Sequence, residues 1–211
     1  MGAKIAAHTR SVNGGELIHW LESAKKRRRC RAMHREASRK LYERIVAQSR
    51  EPSFYTCTKI PDTVNGRFEL IVLHLFLLLY CFNRKSIAAP VSQDLIDVMI
   101  EDLDRALRQM GVGDLSVGRK VKKMASITQV RLRTYETALE GGDTRLGQAL
   151  SENLFAPTEA ITDVETRLIT DYVREAITGL LEMPCKDVMS GTVVFPMPPD
   201  DKSREFNRAS G

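Results

Sequence analysis

The sequence predicts an all-α fold, a single compact multi-helix domain of about six helices around a buried central apolar helix. Apolar residues recur at steps of three and four along most of the chain, and strand-like alternation is nearly absent. One run, "LIVLHLFLLLYCF" (Leu70–Phe82), is apolar on every side, as a helix surrounded by other helices must be. With 211 residues, 43% hydrophobic and 28% charged, the chain can bury one substantial core and carry tails.

The elements follow in chain order. "SAKKRRRCR" (Ser23–Arg31) is a like-charge block that repels itself, so residues 1–36 are expected to be a flexible basic arm. From Ser38 to Ser49, Leu41, Ile45 and Val46 share one face of a short amphipathic helix. "EPSFYTCTKIPDTVNG" (Glu51–Gly66) reads as a connector, punctuated by Pro52, Pro61 and the turn pair Asn65-Gly66. The central run would rise about 20 Å as a helix, short of the roughly 30 Å hydrocarbon core. Charged residues (Arg67, Glu69, Arg84, Lys85) bracket it and His74 interrupts it, which favours a core helix over a membrane span.

Pro90 opens the next helix and Gly111 stops it, with Leu95, Met99, Leu103 and Leu107 at steps of four. A further helix, or two, runs from about Ser116 to Leu139, where Val117, Val121, Met124, Leu132, Tyr135 and Leu139 keep helical steps with Thr128 in the gap. Gly141-Gly142 ends it, and Asp143 is the expected N-cap of the helix that follows. The last long helix spans about Thr162–Met183, with Val164, Leu168, Tyr172, Ile177 and Leu181 inward, before a proline-punctuated tail in which "GTVVFP" (Gly191–Pro196) suggests an extended piece. The expected organisation is thus an arm at 1–36, a helical domain at 37–184 and a tail at 185–211.

Charge is uneven along the chain. Residues 1–50 hold 13 of the 32 Lys/Arg but 4 of the 27 Asp/Glu, leaving 19 basic and 23 acidic residues in the body. A basic arm on a mildly acidic body suits an anionic partner such as ribosomal RNA or acidic lipid headgroups. The four cysteines (Cys30, Cys57, Cys81, Cys185) have neither C-x-x-C nor zinc-ligand spacing, which points to reduced thiols and no metal centre. No apolar signal core stands in the first 30 residues, and Glu16 and Glu22 are out of place in a transit peptide, so a cytoplasmic location is expected.

"GVGDLSVGRK" (Gly111–Lys120) resembles a phosphate-binding loop at first reading, because Gly113 and Gly118 bracket four residues before a basic pair. Such a loop requires a preceding strand, a lysine directly after the glycine and then a hydroxyl residue. Here a helix precedes, Arg119 takes the lysine position and Val121 the hydroxyl position, so a nucleotide-dependent enzyme is disfavoured. The glycines read instead as a bend: Gly111 closes one helix, Gly113 permits a positive-φ turn, and Asp114 or Ser116 caps the next. Arg119, Lys120, Lys122 and Lys123 then fall in the first turns of that helix, against its macrodipole, either as a solvated face or as a binding surface.

Other chemistry has weaker support. His74 has no second ligand or acid at helical spacing and reads as a satisfied core histidine. Asp97, Glu101 and Asp104 share a helix face, where a divalent cation site competes with ion pairing to Arg105 and Arg108. Neither G-x-S-x-G nor H-E-x-x-H occurs, and no cysteine is paired locally with a histidine. No catalysis and no cofactor are expected.

"LYERIVAQSREPSFYT", "PDTVNGRFELIVLHLFLLL", "IEDLDRALRQMGVGDLSVGRKVKKM" and "YETALEGGD" together resemble the ubiquinol–cytochrome c chaperone family. The likeness runs from about Leu41 to Phe155, with G-V-G-D-L-S-V its most specific part; "SITQV" (Ser126–Val130) stands where members carry an aromatic F-Y-G-like step. The resemblance implies an all-α, non-catalytic assembly factor that holds newly made cytochrome b during biogenesis of the ubiquinol–cytochrome c reductase complex. It also implies work near the ribosomal exit, and the basic arm with Arg119 to Lys123 would orient the protein toward the ribosome or the anionic inner leaflet, peripheral on the cytoplasmic face of the inner membrane. Asp104, Arg108, Gly111, Gly113, Asp114, Arg119, Lys120, Lys122 and Lys123 are the residues it nominates for partner binding. A homodimer and a small helical partner both stay open, and the competing reading is an RNA- or ribosome-binding helical module without a dedicated client.

Overall fold

Residues 14–87, 89–155 and 162–200 are described by a computed structural model, and all regular structure among them is helical. Eight helices follow one another among these residues: α1 (Gly14–Ser49), α2 (Ser53–Thr56), α3 (Val64–Arg84), α4 (Ala89–Gln109), α5 (Asp114–Glu140), α6 (Asp143–Leu154), α7 (Asp163–Glu182) and α8 (Cys185–Met189). The chain divides into two units, Met1–Met33 and His34–Gly211, with the boundary inside α1. In the first unit, residues 25–32 of α1 are solvent-exposed.

That helical start corrects the expected arm. Residues 14–36, expected as part of a flexible, solvated arm, belong to the same helix as 38–49. Charge repulsion alone does not prevent helix formation, because Lys, Arg, Ala, Glu and Leu are all good helix formers. Residues 1–13 of the arm and 201–211 of the tail lie outside the described residues.

In the second unit, α1 turns amphipathic. Ala37, Leu41, Tyr42 and Ile45 are buried at helical spacing, and Ser38 Oγ donates to the Val91 carbonyl at 3.2 Å. Helix α3 is the core element, packed against α5, α6 and α7, with Leu70, Val72, Leu73, Leu75, Leu77 and Leu78 fully buried. It is the one helix among the described residues long and apolar enough to cross a membrane, and 67% of its most apolar window is buried inside the protein.

Helix α3 starts at Val64, so Asn65-Gly66 is its first turn and not a turn in the connector. Thr63 is the N-cap, its Oγ1 accepting from the Gly66 N–H at 3.1 Å. Glycine is required at 66 because a Cβ there would lie 2.0 Å from the Pro61 carbonyl oxygen.

Two further boundaries shift by a residue. Gly142, at φ 88°, is the N-cap of α6, and Asp143 is its first helical residue and not its cap. Helix α7 begins with the capping box of Thr162 and Glu165, and Lys59 Nζ adds a 3.0 Å ion pair to the Glu165 carboxylate; Leu168, Tyr172 and Ile177 are buried as expected, but Leu181, in the last turn, is exposed.

The expected tail is core as far as residue 195. Helix α8 buries Val188, and the irregular segment after it buries Val193 and Phe195. No period marks these positions, since the segment has no regular structure; Gly191, at φ 86°, lets it press onto α1, where a Cβ would meet Lys40 Cβ at 2.7 Å.

Candidate functional site

The α4–α5 bend and the helix after it carry the nominated residues. Gly111, at φ 79°, ends α4 in a Schellman motif: its N–H reaches the Arg108 carbonyl at 3.0 Å and the Val112 N–H reaches Leu107 at 3.1 Å. Gly113 does not supply the positive-φ turn. It is extended at φ −62°, ψ 145° and is itself the N-cap of α5, with Asp114 as the first helical residue. Neither Asp114 nor Ser116 is the cap; the Ser116 N–H donates to the Gly113 carbonyl at 2.8 Å.

The structure sorts the nine nominated residues into two groups. Arg108 Nε donates to Asp104 Oδ2 at 2.7 Å, and Arg108 Nη1 donates to Asp114 Oδ1 across the bend. Asp104, Arg108 and Asp114 therefore form a surface staple across the bend that Gly111 and Gly113 shape. These pairs hold the Arg108 guanidinium pKa above its ordinary value, first through the hydrogen bond to Asp104.

Arg119, Lys120, Lys122 and Lys123 form the second group. All four are exposed and make no ion pair among the described residues. Because α5 begins at Asp114, Arg119 is its sixth residue and Lys123 its tenth. The macrodipole acts within the first turn, so the expected electrostatic conflict is absent and Asp114 occupies the favourable anionic place.

The four cations point to two sides of α5. Lys120, Lys123, Met124 and Ile127 line a groove of about 380 Å³ with Val64, Asn65 and Phe68 of α3 and Leu107 of α4. Its floor is aliphatic and aromatic, its rim carries two ammonium groups, and Val64 beside it is 65% exposed. Arg119 and Lys122 lie instead on the helix face of Leu115, at i+4 and i+7. Sequence reasoning singles out the lysines but not the groove, because its walls come from residues about 60 positions apart that no local pattern connects.

An ion pair fixes α5 against the core. Arg131 donates to Glu69 twice, Nε to Oε2 at 3.0 Å and Nη2 to Oε1 at 3.1 Å, with the Glu69 side chain almost fully buried. In the sequence, Glu69 stands only as a flank of the apolar run.

His74 is the satisfied core histidine expected. Nδ1 lies 2.7 Å from the Leu70 carbonyl and Nε2 lies 2.7 Å from Tyr172 Oη. The consistent assignment has Nδ1–H donating to Leu70 and Nε2 accepting from the tyrosine, whose oxygen accepts from Gln48 Nε2 at 3.1 Å. Gln48 also donates to the Pro196 carbonyl at 2.9 Å, which links α1, α3, α7 and the C-terminal segment. Burial pushes the imidazole pKa down to about 4, so the ring is neutral near pH 7.

The carboxylates on α4 are separately engaged. Asp97 accepts from Gln93 at 2.8 Å, Glu101 pairs with Arg35 at 2.5 Å, and Asp104 belongs to the staple. Arg105 pairs with Asp102, which also accepts from Tyr42 Oη at 3.0 Å. Among the described residues, no group of three His, Cys, Asp or Glu side chains is placed to hold a metal ion.

Curated relatives and a solved structure resemble this chain. Ubiquinol-cytochrome-c reductase complex assembly factor 1 of Xenopus laevis is 22% identical over 161 residues, 75% of this chain and 80% of its own length. The Mus musculus protein of the same name is 22% identical over 155 residues, 72% of this chain but 52% of its own length. The crystal structure of the Cbp3 homolog from Brucella abortus superposes with a TM-score of 0.69 at 26% identity, covering 84% of this chain and 96% of that one. The profile described as ubiquinol-cytochrome C chaperone matches residues 57–195, from the connector through Phe195 in the core, and the chain belongs to that family.

Proposed function

We propose that this protein is a non-catalytic assembly chaperone that binds newly made cytochrome b and assists biogenesis of the ubiquinol–cytochrome c reductase complex. The observation that carries the reading is the groove between α3, α4 and α5. An amphipathic or apolar client helix can lay one face on Phe68, Leu107, Met124 and Ile127. Met124 adapts to varied side chains, and Lys120 and Lys123 can meet a client carboxylate or the carbonyl end of its helix. The Arg108 staple and the Glu69–Arg131 pair keep the walls in register. Membership of the family and the names of the relatives support the ubiquinol–cytochrome c reductase complex as what the protein helps to assemble, and the resemblance of the sequence supplies cytochrome b as the client.

The protein would act from the cytoplasm, with its basic arm directed to the ribosome or the anionic inner leaflet. A second reading, an RNA- or ribosome-binding module without a dedicated client, is favoured by the exposed residues 25–31 of α1, seven positions of which only Cys30 is uncharged.

Deletion of the gene separates the two. The chaperone reading predicts less spectrally detected reductase with unchanged cytochrome b transcript, restored by the intact protein but not by Lys120→Glu/Lys123→Glu. Normal reductase in the deletion strain would remove the chaperone reading.

A further inference from the structure

Helix α5 has a second face that the client groove does not use. Leu115, Arg119, Lys122, Val130 and Arg133 fall within one side of the helix at steps of four, three, eight and three, and all five are exposed. Leu115 is 97% exposed and Val130 55%; Met110, in the bend just before α5, is 54% exposed. From Leu115 to Tyr135 the chain has six basic residues and no acidic one. Arg119, Lys122 and Arg133 make no ion pair among the described residues.

We propose that this face is a docking surface for an anionic lipid bilayer, with Leu115 entering the headgroup–acyl boundary and Arg119, Lys122 and Arg133 pairing with lipid phosphates. Aliphatic side chains set among cations over residues 115–133, with the exposed Glu136 and Glu140 confined to the last two turns of the helix, suit the surface of an anionic bilayer. The exposed aliphatic side chain, more than the charge, argues for lipid over RNA. Single-stranded RNA is gripped by stacking on exposed aromatic rings or by basic grooves tracking its backbone, and the aromatic residue of α5, Tyr135, is fully buried. A fully exposed leucine gains nothing from a phosphate backbone but gains its transfer free energy from a membrane. Helix α5 would then carry the bilayer on one face and the client groove on another, placing the groove beside the membrane into which such a client inserts.

The test uses the full chain with phosphatidylglycerol–phosphatidylcholine vesicles and pure phosphatidylcholine vesicles. In a Trp20→Phe background, Leu115→Trp is expected to give a blue-shifted emission with the anionic vesicles alone. In the otherwise unaltered chain, Arg119→Gln/Lys122→Gln is expected to weaken vesicle binding about 30-fold, two cations near an anionic surface being lost. Leu115→Ser should weaken it as well, with the thermal transition unchanged. Vesicle binding by the Leu115→Trp chain with no shift in its emission would overturn the proposal. So would binding that survives Arg119→Gln/Lys122→Gln and is lost only when Lys25–Arg29 are neutralised, or variants that abolish binding to a ribosomal RNA fragment but not to vesicles. These measurements need no client, so their failure leaves the chaperone reading intact.

Discussion

Replacing Arg131 by methionine tests how α5 is held. The substitution keeps the aliphatic stem of the side chain but removes both hydrogen bonds to Glu69, at 3.0 and 3.1 Å. The Glu69 carboxylate, buried between α3 and α5, is then left without its cation. Breaking a buried pair from one side costs about 3–5 kcal/mol, a large share of the roughly 5–15 kcal/mol that holds a domain of this kind together. Glu69→Met with Arg131→Met removes both charges, and well-packed apolar replacements of a buried pair are often close to neutral. The cycle is read by urea unfolding followed by far-ultraviolet circular dichroism. Arg131→Met should lower the midpoint strongly and the double variant should recover most of the loss. A single variant within about 1 kcal/mol of the parent, the worth of an exposed pair, would refute the account of Glu69 as a desolvated anchor.

Other consequences are equally specific. Gly111→Ala should cost about 1 kcal/mol because Gly111 sits at φ 79°, whereas Gly113→Ala should be nearly neutral at φ −62° with open space around it; paired thermal melts distinguish them. Gly66→Ala should destabilise by about 3 kcal/mol, read in the same melts, since its Cβ would collide with the Pro61 carbonyl at 2.0 Å. His74, held down to about 4 from an ordinary 6.5, contributes stability that is present above pH 6.5 and is lost as pH falls toward 4, where the unfolded chain binds a proton that the native one refuses. Unfolding free energies across that window should therefore fall for the parent and fall less steeply for His74→Gln.

The helices are legible in the sequence because they are long and amphipathic. Leu95, Met99, Leu103 and Leu107 are all buried at the expected steps of four, and Gly111 stops α4 as its position requires. Local pattern fails where long-range contacts decide. The Glu69–Arg131 pair spans 62 residues, and His74 meets Tyr172 98 residues away. Val193 and Phe195 reach the core without any period to announce them. At the candidate site, the basic block is visible in the sequence but its electrostatic setting is not. Starting α5 at Asp114 moves the cations beyond the reach of the macrodipole, and the groove beside Lys120 and Lys123 exists only once α3, α4 and α5 are packed. Helix-forming composition likewise outweighs charge repulsion over residues 14–36.

The groove is the centre of the functional account, and photocrosslinking reads it directly. A photoreactive phenylalanine analogue placed at Ile127, inside the groove, and another at Thr144, on α6 away from it, can be activated in growing cells. The account predicts an adduct with cytochrome b from position 127, reduced by Lys120→Glu/Lys123→Glu, and none from position 144. Capture of cytochrome b from 144 but not from 127 would contradict it.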